Sequence, residues 1–213
     1  LIVVDTAHGH TKKVSEIVKL IKRLKSEKTA LCAGNIATPE AAKFLLNLGV
    51  DIIKVGIGPG SYTGLRIGLS AAKGICYALN IPLISTSSLE NLIANIDFNG
   101  FLIPTIDARR DEVYSCIYDK NKKIIRPEIP EIINSKSFLN YSAVEKILIV
   151  GNGQFKCKEL IEFDSNFNWN EKILIPSAVN MCKIAHKKYN NNSFEDIAYC
   201  EPKYLKEFKS NNG

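Results

Sequence analysis

The chain has 213 residues, of which 46% are apolar and 23% charged, and a formal charge of +6; that is enough length to bury a core, with the balance of an ordinary globular protein. No stretch approaches the ~18 consecutive apolar residues of a membrane-spanning helix, which excludes a helical span. Residues 1–55 hold nine Lys+Arg against five Asp+Glu, and much of the excess lies between Lys12 and Lys28. No aromatic is interleaved with those cations, so a solvated helix face is expected there rather than a nucleic-acid patch.

In chain order, Leu1–Asp5 is an apolar, β-branched strand that ends in a polar loop, Thr6–His10. Val14, Ile17, Val18, Ile21 and Leu24 then recur at helical spacing. Thr29–Ala33 is a second short strand. Thr38-Pro39-Glu40 supplies an N-cap, a proline at the first helical position and an acid in the first turn, and Gly49 closes that helix. Asp51–Val55 is a third strand, so the opening pattern is βαβαβ, for which parallel strands are expected. The glycine-rich stretch Gly56–Ser61 is expected as a loop leading into a helix, Gly64–Leu79. Leu65, Leu69, Ala72, Cys76 and Leu79 mark one face of that helix, and Ile67 and Ile75 widen it.

Ile81–Ile84 is the next strand, and Ser87-x-x-Glu90 is a capping box that opens a helix to about Ile96. Strands follow at Phe101–Ile106, Glu112–Tyr118 and Lys123–Arg126, the last two joined as a hairpin by Asp119–Asn121. Lys146–Val150 is another strand, and helices follow around Gln154–Ile161 and Ala178–Tyr189.

The residues alone leave several readings open. The turn Gly56–Ser61 either presents backbone N–H groups to an anion or simply packs a strand tightly against a helix. Small residues along the helix, Gly68, Ser70, Ala71, Ala72 and Gly74, let another helix approach closely, from a partner or from the same lobe. Asp107, Arg109 and Arg110 form either a substrate site or a salt-bridged strand end. His8 and His10 have no visible third metal ligand, and His186 is a surface residue of a helix. Of the six cysteines, none forms a C-x-x-C pair or stands at zinc spacing with a histidine. Cys32, Cys76 and Cys116 fit buried thiols of a reducing compartment. No catalytic constellation and no metal site stands out.

The stretch Val55–Leu79, VGIGPGSYTGLRIGLSAAKGICYAL, resembles the signature of the TsaB (YeaZ) family. Ile81–Leu89, the run Ile106-Asp107-Ala108-Arg109-Arg110 with Glu112-Val113-Tyr114, and Pro202-Lys203-Tyr204-Leu205-Lys206 are similar to later motifs of that family, in order. Lys206 stands where the family motif ends in arginine. The resemblance runs from about Gly56 to the C-terminus. It implies an α/β, two-lobed ASKHA (actin-like, RNase H-like) fold and a non-catalytic scaffold role without a cofactor. The implied setting is the cytoplasmic complex that makes threonylcarbamoyladenosine beside the tRNA anticodon. It further implies a TsaD-like catalytic subunit and a TsaE-like ATPase as partners, a possible homodimer, tRNA met only indirectly, and no membrane. The docking residues it implies are Tyr62, Arg66, Gly68, Ser70, Ala71, Gly74 and Ile75.

Residues 1–61 resemble a different family. Val3–His10, Gly34–Thr38 and Val50–Ser61 are similar to consecutive βα units of the IMP dehydrogenase barrel. The implied organisation is a barrel-derived fragment over 1–55 in place of the TsaB opening β meander, the rest of a TsaB-like N-terminal lobe over 56–100, and a TsaB-like C-terminal lobe over 101–213. Asp5, Gly58, Gly60 and Ser61 then stand as remnants of a nucleotide site not expected to work. The dehydrogenase's catalytic cysteine falls two residues after the serine, where this chain has Thr63. A hydroxyl cannot supply the thiolate that attacks the purine without a base beside it, so an inactive fragment is implied. The string GIGPGS is common to both families and is a point where recombination, or a false join of two reading frames, can occur. Leu1 rather than Met at the start favours the second, in a fragment of a longer frame; the alternative outcome is a fusion that does not function.

Overall fold

The computed structural model describes residues 2–5, 12–26, 31–34, 44, 47–49 and 51–206. Thr38-Pro39-Glu40, His8 and His10 lie outside them. The chain forms two compact units: Leu1–Ile57 with Tyr62–Thr86 and Ala178–Pro202, and Gly58–Ser61 with Ser87–Ser177 and Lys203–Gly213.

In the first unit, β1 (Ile2–Asp5) pairs in parallel with β2 (Leu31–Gly34). Helix α1 (Lys12–Leu24) buries Val14, Ser15 and Val18, and the two valines cluster with Leu31, Phe44 and Leu48. Ile17 and Leu24, expected on the same face, are exposed. The face that packs is therefore narrower than the apolar stripe, and the basic side chains Lys12, Lys13, Lys19, Lys22 and Arg23 are exposed around it.

Strand β3 (Ile53–Gly58) does not join β1 and β2; among the described residues its ladder partner is β4 (Leu83–Ser87). The parallel pairing expected from the βαβαβ pattern holds for β1 and β2, and β3 lies outside that pair. The link to β2 is made just before β3: Asp51 N donates to Leu31 O at 2.8 Å, Leu31 N donates to Asp51 Oδ2 at 2.7 Å, and Lys25 Nζ lies 3.1 Å from the same carboxylate. Helix α2 spans Tyr62–Leu79.

The second unit is built on a five-stranded mixed sheet of order β7-β6-β5-β8-β9. Strands β5 (Phe101–Asp107), β6 (Glu112–Tyr118) and β7 (Ile124–Ile132) run antiparallel in succession, while β8 (Ile147–Val150) and β9 (Phe167–Asn170) extend the other side in parallel. Short helices α3 (Ser88–Ile93), α4 (Leu139–Ser142) and α5 (Gln154–Leu160) lie among them. The last helix, α6 (Ala178–Asn190), returns to the first unit, where Ala185 packs with Ile52 and Ile84. Ser87 caps α3 as expected, its Oγ accepting from Leu89 N at 3.1 Å and Glu90 N at 3.4 Å.

One cluster of this unit, around Ile103, Ile117, Ile147 and Ile149, and another, around Leu89, Leu92, Leu102 and Val150, are each buried. Successive β5 residues, Leu102 and Ile103, enter different clusters, as the two-residue period of a strand requires when both faces are covered. Strand β7 runs through Pro127 and Pro130 to Ile132, well beyond the expected Arg126. It is an edge strand, where a missing N–H need not break a ladder.

The turn after β8 needs glycine at Gly151. Its φ is +92°, and a Cβ there would stand 2.0 Å from Thr105 O. Gly151→Ala should therefore lower stability by about 1–3 kcal/mol for the left-handed backbone alone, with the carbonyl clash added, read as a reduced urea midpoint.

Burial pushes the Cys76 thiol up to about 11 and the Cys157 thiol up to about 12. Neither should react with iodoacetamide at pH 8 until urea opens the fold. A thiol whose pKa is raised on folding stabilises the native state fully below its ordinary value of 9.0. That contribution is lost as pH rises through the folded value. The urea midpoint should accordingly fall between pH 9.0 and about 11–12.

Candidate functional site

The glycine-rich stretch is strand before it is turn: Gly56, Ile57 and Gly58 complete β3, and only Pro59, Gly60 and Ser61 separate it from α2. Gly58 is buried with φ +110°, a conformation that favours glycine, while Gly60 and Ser61 are exposed. Asp5 closes β1.

From that turn α2 emerges with an inner and an outer face. Leu69, Ala72 and Cys76 are buried in one cluster with Ile53, Leu83 and Cys200. Cys76 Sγ donates to Pro82 O at 3.7 Å. Lys73 Nζ donates to Ala198 O at 3.2 Å and Cys200 O at 3.0 Å, tying the helix to the segment after α6. At about 100° per residue, the positions opposite this buried stripe are Thr63, Ile67, Ser70, Ala71, Gly74 and Ala78, and all six are exposed. Ile67, expected to widen the core face, instead points to solvent at 64% exposure, and Leu79 is also exposed. The helical angle explains this, since Ile67 lies nearly opposite Leu69 and Cys76.

The structure does not gather all the expected docking residues on one face. Ser70, Ala71 and Gly74 share the outer face. Gly68 is exposed on one flank beside Ile75, which is half-buried against the core cluster. Tyr62 and Arg66 sit on the other flank, where Arg66 Nη1 donates to Tyr62 Oη at 3.0 Å and its guanidinium stands 5.3 Å from the ring centroid. Tyr77, not among the expected residues, is exposed on that flank at 82%.

Around Gly68 and Gly74 a Cβ would meet nothing within 4 Å. The chain's own packing does not require a missing side chain at either position. The outer face thus presents Ile67 among the exposed small residues Ser70, Ala71, Gly74 and Ala78, and the smallness of Gly74 has no intramolecular use. Among the described residues no group of three His, Cys, Asp or Glu could hold a metal.

Asp107 is a salt-bridged strand end, but its ion-pair partner is not one of the arginines beside it. The Asp107 carboxylate is held by Lys156 Nζ at 3.2 Å and by the backbone N–H of Arg109 at 2.7 Å, not by either arginine side chain. Lys156, Asn152 and Lys206, which fix this turn, were not singled out as site residues, since they come from positions far along the chain. His186 is exposed. Cys76 and Cys116 are buried thiols.

The fold is an α/β architecture of the YeaZ kind. A Pseudomonas aeruginosa protein described as similar to the peptidase YeaZ superposes with TM-score 0.63 over 92% of this chain and 84% of its own, at 20% identity. The family model for TsaD, tRNA N6-adenosine threonylcarbamoyltransferase, matches residues 40–208. The chain belongs to the TsaD family. Within it, the chain is similar to the tRNA threonylcarbamoyladenosine biosynthesis protein TsaB of Bacillus subtilis, 44% identical over 80 residues, 37% of this chain and 35% of that protein.

It is also similar to inosine-5'-monophosphate dehydrogenase of Staphylococcus aureus (strain Mu50), 55% identical over 113 residues, 51% of this chain and 22% of the enzyme. The chain thus spans little more than a third of the one relative and less than a quarter of the other. The dehydrogenase match takes in more of the chain than the opening 61 residues that carry its motifs.

Gly68→Ala and Gly74→Ala should each raise the thermal stability of the isolated chain, by about 0.5–1 kcal/mol, because alanine is the better helix former and the space is open. A loss of stability would show that something in the chain itself needs those glycines.

Proposed function

We propose that this chain is a non-catalytic scaffold subunit in the making of threonylcarbamoyladenosine beside the tRNA anticodon, and that α2 docks it on a TsaD-like catalytic subunit. The observation that carries the reading is the outer face of α2, where Ser70, Ala71 and Gly74 are exposed and a Cβ on Gly74 would meet nothing within 4 Å. Small residues let two helix backbones approach closely, which converts a modest area into dense contact. Tyr62, Arg66, Gly68 and Ile75 border that contact. Membership of the TsaD family and similarity to TsaB support the pathway. The same face could serve a homodimer when the partner is missing.

In this reading the complex is cytoplasmic. ATP is handled by a TsaE-like ATPase, and the adenosine is held by the catalytic partner, so for the chemistry this chain meets tRNA only indirectly. The chain is organised as 1–55, derived from a dehydrogenase barrel in place of a β meander, 56–100 completing the first TsaB-like lobe, and 101–213 forming the second. Asp5, Gly58, Gly60 and Ser61 bind no nucleotide in this arrangement. Similarity to the dehydrogenase motivates the alternative of an inactive enzyme fragment. Thr63, exposed on α2, lacks the thiol that reaction needs.

The purified chain should co-elute with a TsaD-like subunit at micromolar concentration. Ala71→Arg should abolish the complex, because a long charged side chain enters the closest approach. A folded chain that forms no complex would overturn the reading. Incubation with IMP and NAD should yield no NADH.

A further inference from the structure

The hairpin between β5 and β6 turns through Ala108-Arg109-Arg110-Asp111, with Ala108 N donating to Glu112 O at 3.1 Å and Glu112 N to Arg109 O at 3.2 Å. Both Arg109 and Arg110 have positive φ, 66° and 48°. Two successive left-handed residues are a conformation that turns normally fill with Asn and Gly, because a Cβ is unfavourable there. Here the two positions hold long cations instead, so turn formation does not explain their identity.

The surrounding side chains over-determine this conformation. Asp107 accepts from Arg109 N, Asn152 Oδ1 accepts from Asp107 N at 2.9 Å, and Lys156 Nζ bridges Asp107 and Glu112 O. From the other side Lys206 donates to Ala108 O at 3.0 Å, pairs with Glu112, and lies 5.5 Å from the Tyr114 ring centroid. The two lysines thereby pair with Asp107 and Glu112. Asp111, the remaining carboxylate of the turn, is exposed. Neither guanidinium has a hydrogen-bond or ion-pair partner among the described residues, and both residues are exposed. The raised pKa of Tyr114, set by burial and opposed by Arg109, agrees with a guanidinium close to that ring. Residues held in costly backbone states by a dedicated set of neighbours concentrate where molecules bind.

We propose that Arg109 and Arg110 form a preset clamp for phosphates of an RNA backbone, by which this chain holds tRNA away from the base being modified. A guanidinium fork matches a phosphate's oxygens and holds its charge at any pH of use. Two of them on one braced backbone turn meet a phosphate at less backbone ordering cost than a flexible loop would. The proposal rests on the tRNA-modification reading only for the choice of RNA, and it needs no catalytic partner.

The test uses the full chain alone, with fluorescein-labelled unmodified tRNA read by anisotropy at 50 and 200 mM KCl. Wild type should bind. Arg109→Asn with Arg110→Gly, which suits the turn better and should leave the thermal midpoint unchanged or raised, should weaken binding about tenfold. The same variant should reduce the slope of log affinity against log salt by about 1–2. Arg109→Lys with Arg110→Lys should recover part of the loss. Lys12→Gln with Lys13→Gln on α1 should change nothing.

Absence of wild-type binding, an unchanged slope in the Asn-Gly variant, or an equal loss in the α1 variant would each overturn the clamp. Displacement of the tRNA by an equal concentration of inorganic pyrophosphate would overturn the assignment to RNA in favour of a free phosphate ligand. Complex formation with a TsaD-like subunit, measured on the same variant, should be unaffected, which separates failure here from failure of the scaffold reading.

Discussion

The rotation of α2 about its own axis is set by one contact, the seating of Leu69, Ala72 and Cys76 in the cluster that Ile53 and Leu83 bring from β3 and β4. Burying side chains of this kind is worth about 1.5–3 kcal/mol for the leucine and less for the smaller two. Turning the helix to cover Ile67 would lift those residues out and carry Ser70 and Gly74 inward, where they would fill less space. The apolar side chains that stay outside are therefore left there by competition for one core stripe. The exposed face follows from the choice of buried face. Lys73 adds a second fixing point by donating to two carbonyls of the 198–200 segment, so the helix is held at its core side along much of its length.

The second unit depends on covering both faces of one sheet. Parallel pairing of β5 with β8 places Ile103 opposite Ile149 and Leu102 opposite Leu148, and the side-chain alternation then feeds two clusters at once. Most polar groups caught in this arrangement are paired, although Arg126 Nε and Gln154 Oε1 are buried without a hydrogen-bond partner. Arg126 contacts Glu131 and Ser115 and lies 5.5 Å from the Phe138 ring centroid. A part-buried ion pair of this kind adds little net stability, but removing one partner would strand the other. Its place where the β6–β7 register shifts suits a device that fixes alignment more than one that adds energy.

Similarity to two families on one chain is less contradictory at the local level than at the global one. Both share a strand and a glycine turn over Asp51–Ser61, and the chain forms them, with a helix following. The difference lies in what stands beside it. β3 takes β4 as its ladder partner, whereas β1 and β2 form a parallel pair of their own. Local consistency is enough to make the elements, but strand partnership is decided by which surfaces can be buried together.

Much of the element order was legible in the residues. Helical spacing located α1 and α2, Ser87 announced the start of α3, and Asp119–Asn121 located a hairpin, because each signal is carried by neighbours within a turn or two of one another. Strand β9 and the short α4 escaped, since the alternation of Phe167–Asn170 lasts only four residues and Leu139–Ser142 is barely one turn. Both exist through pairing and packing supplied by the rest of the chain. The same division holds for the site. The sequence by itself determined that α2 would be rich in small residues, that no catalytic or metal-binding set would stand out, and that Thr63 would carry a hydroxyl where a thiol is needed. Only the tertiary structure decided that Ile67 and Tyr77 face outward while Ile75 faces in, that Gly68 and Gly74 have empty space around them, and that Asp107 belongs to Lys156 rather than to the arginines beside it. Periodicity states which residues share a stripe. Which stripe is buried, and which distant side chain satisfies a given charge, depends on surfaces that meet only when the chain has folded.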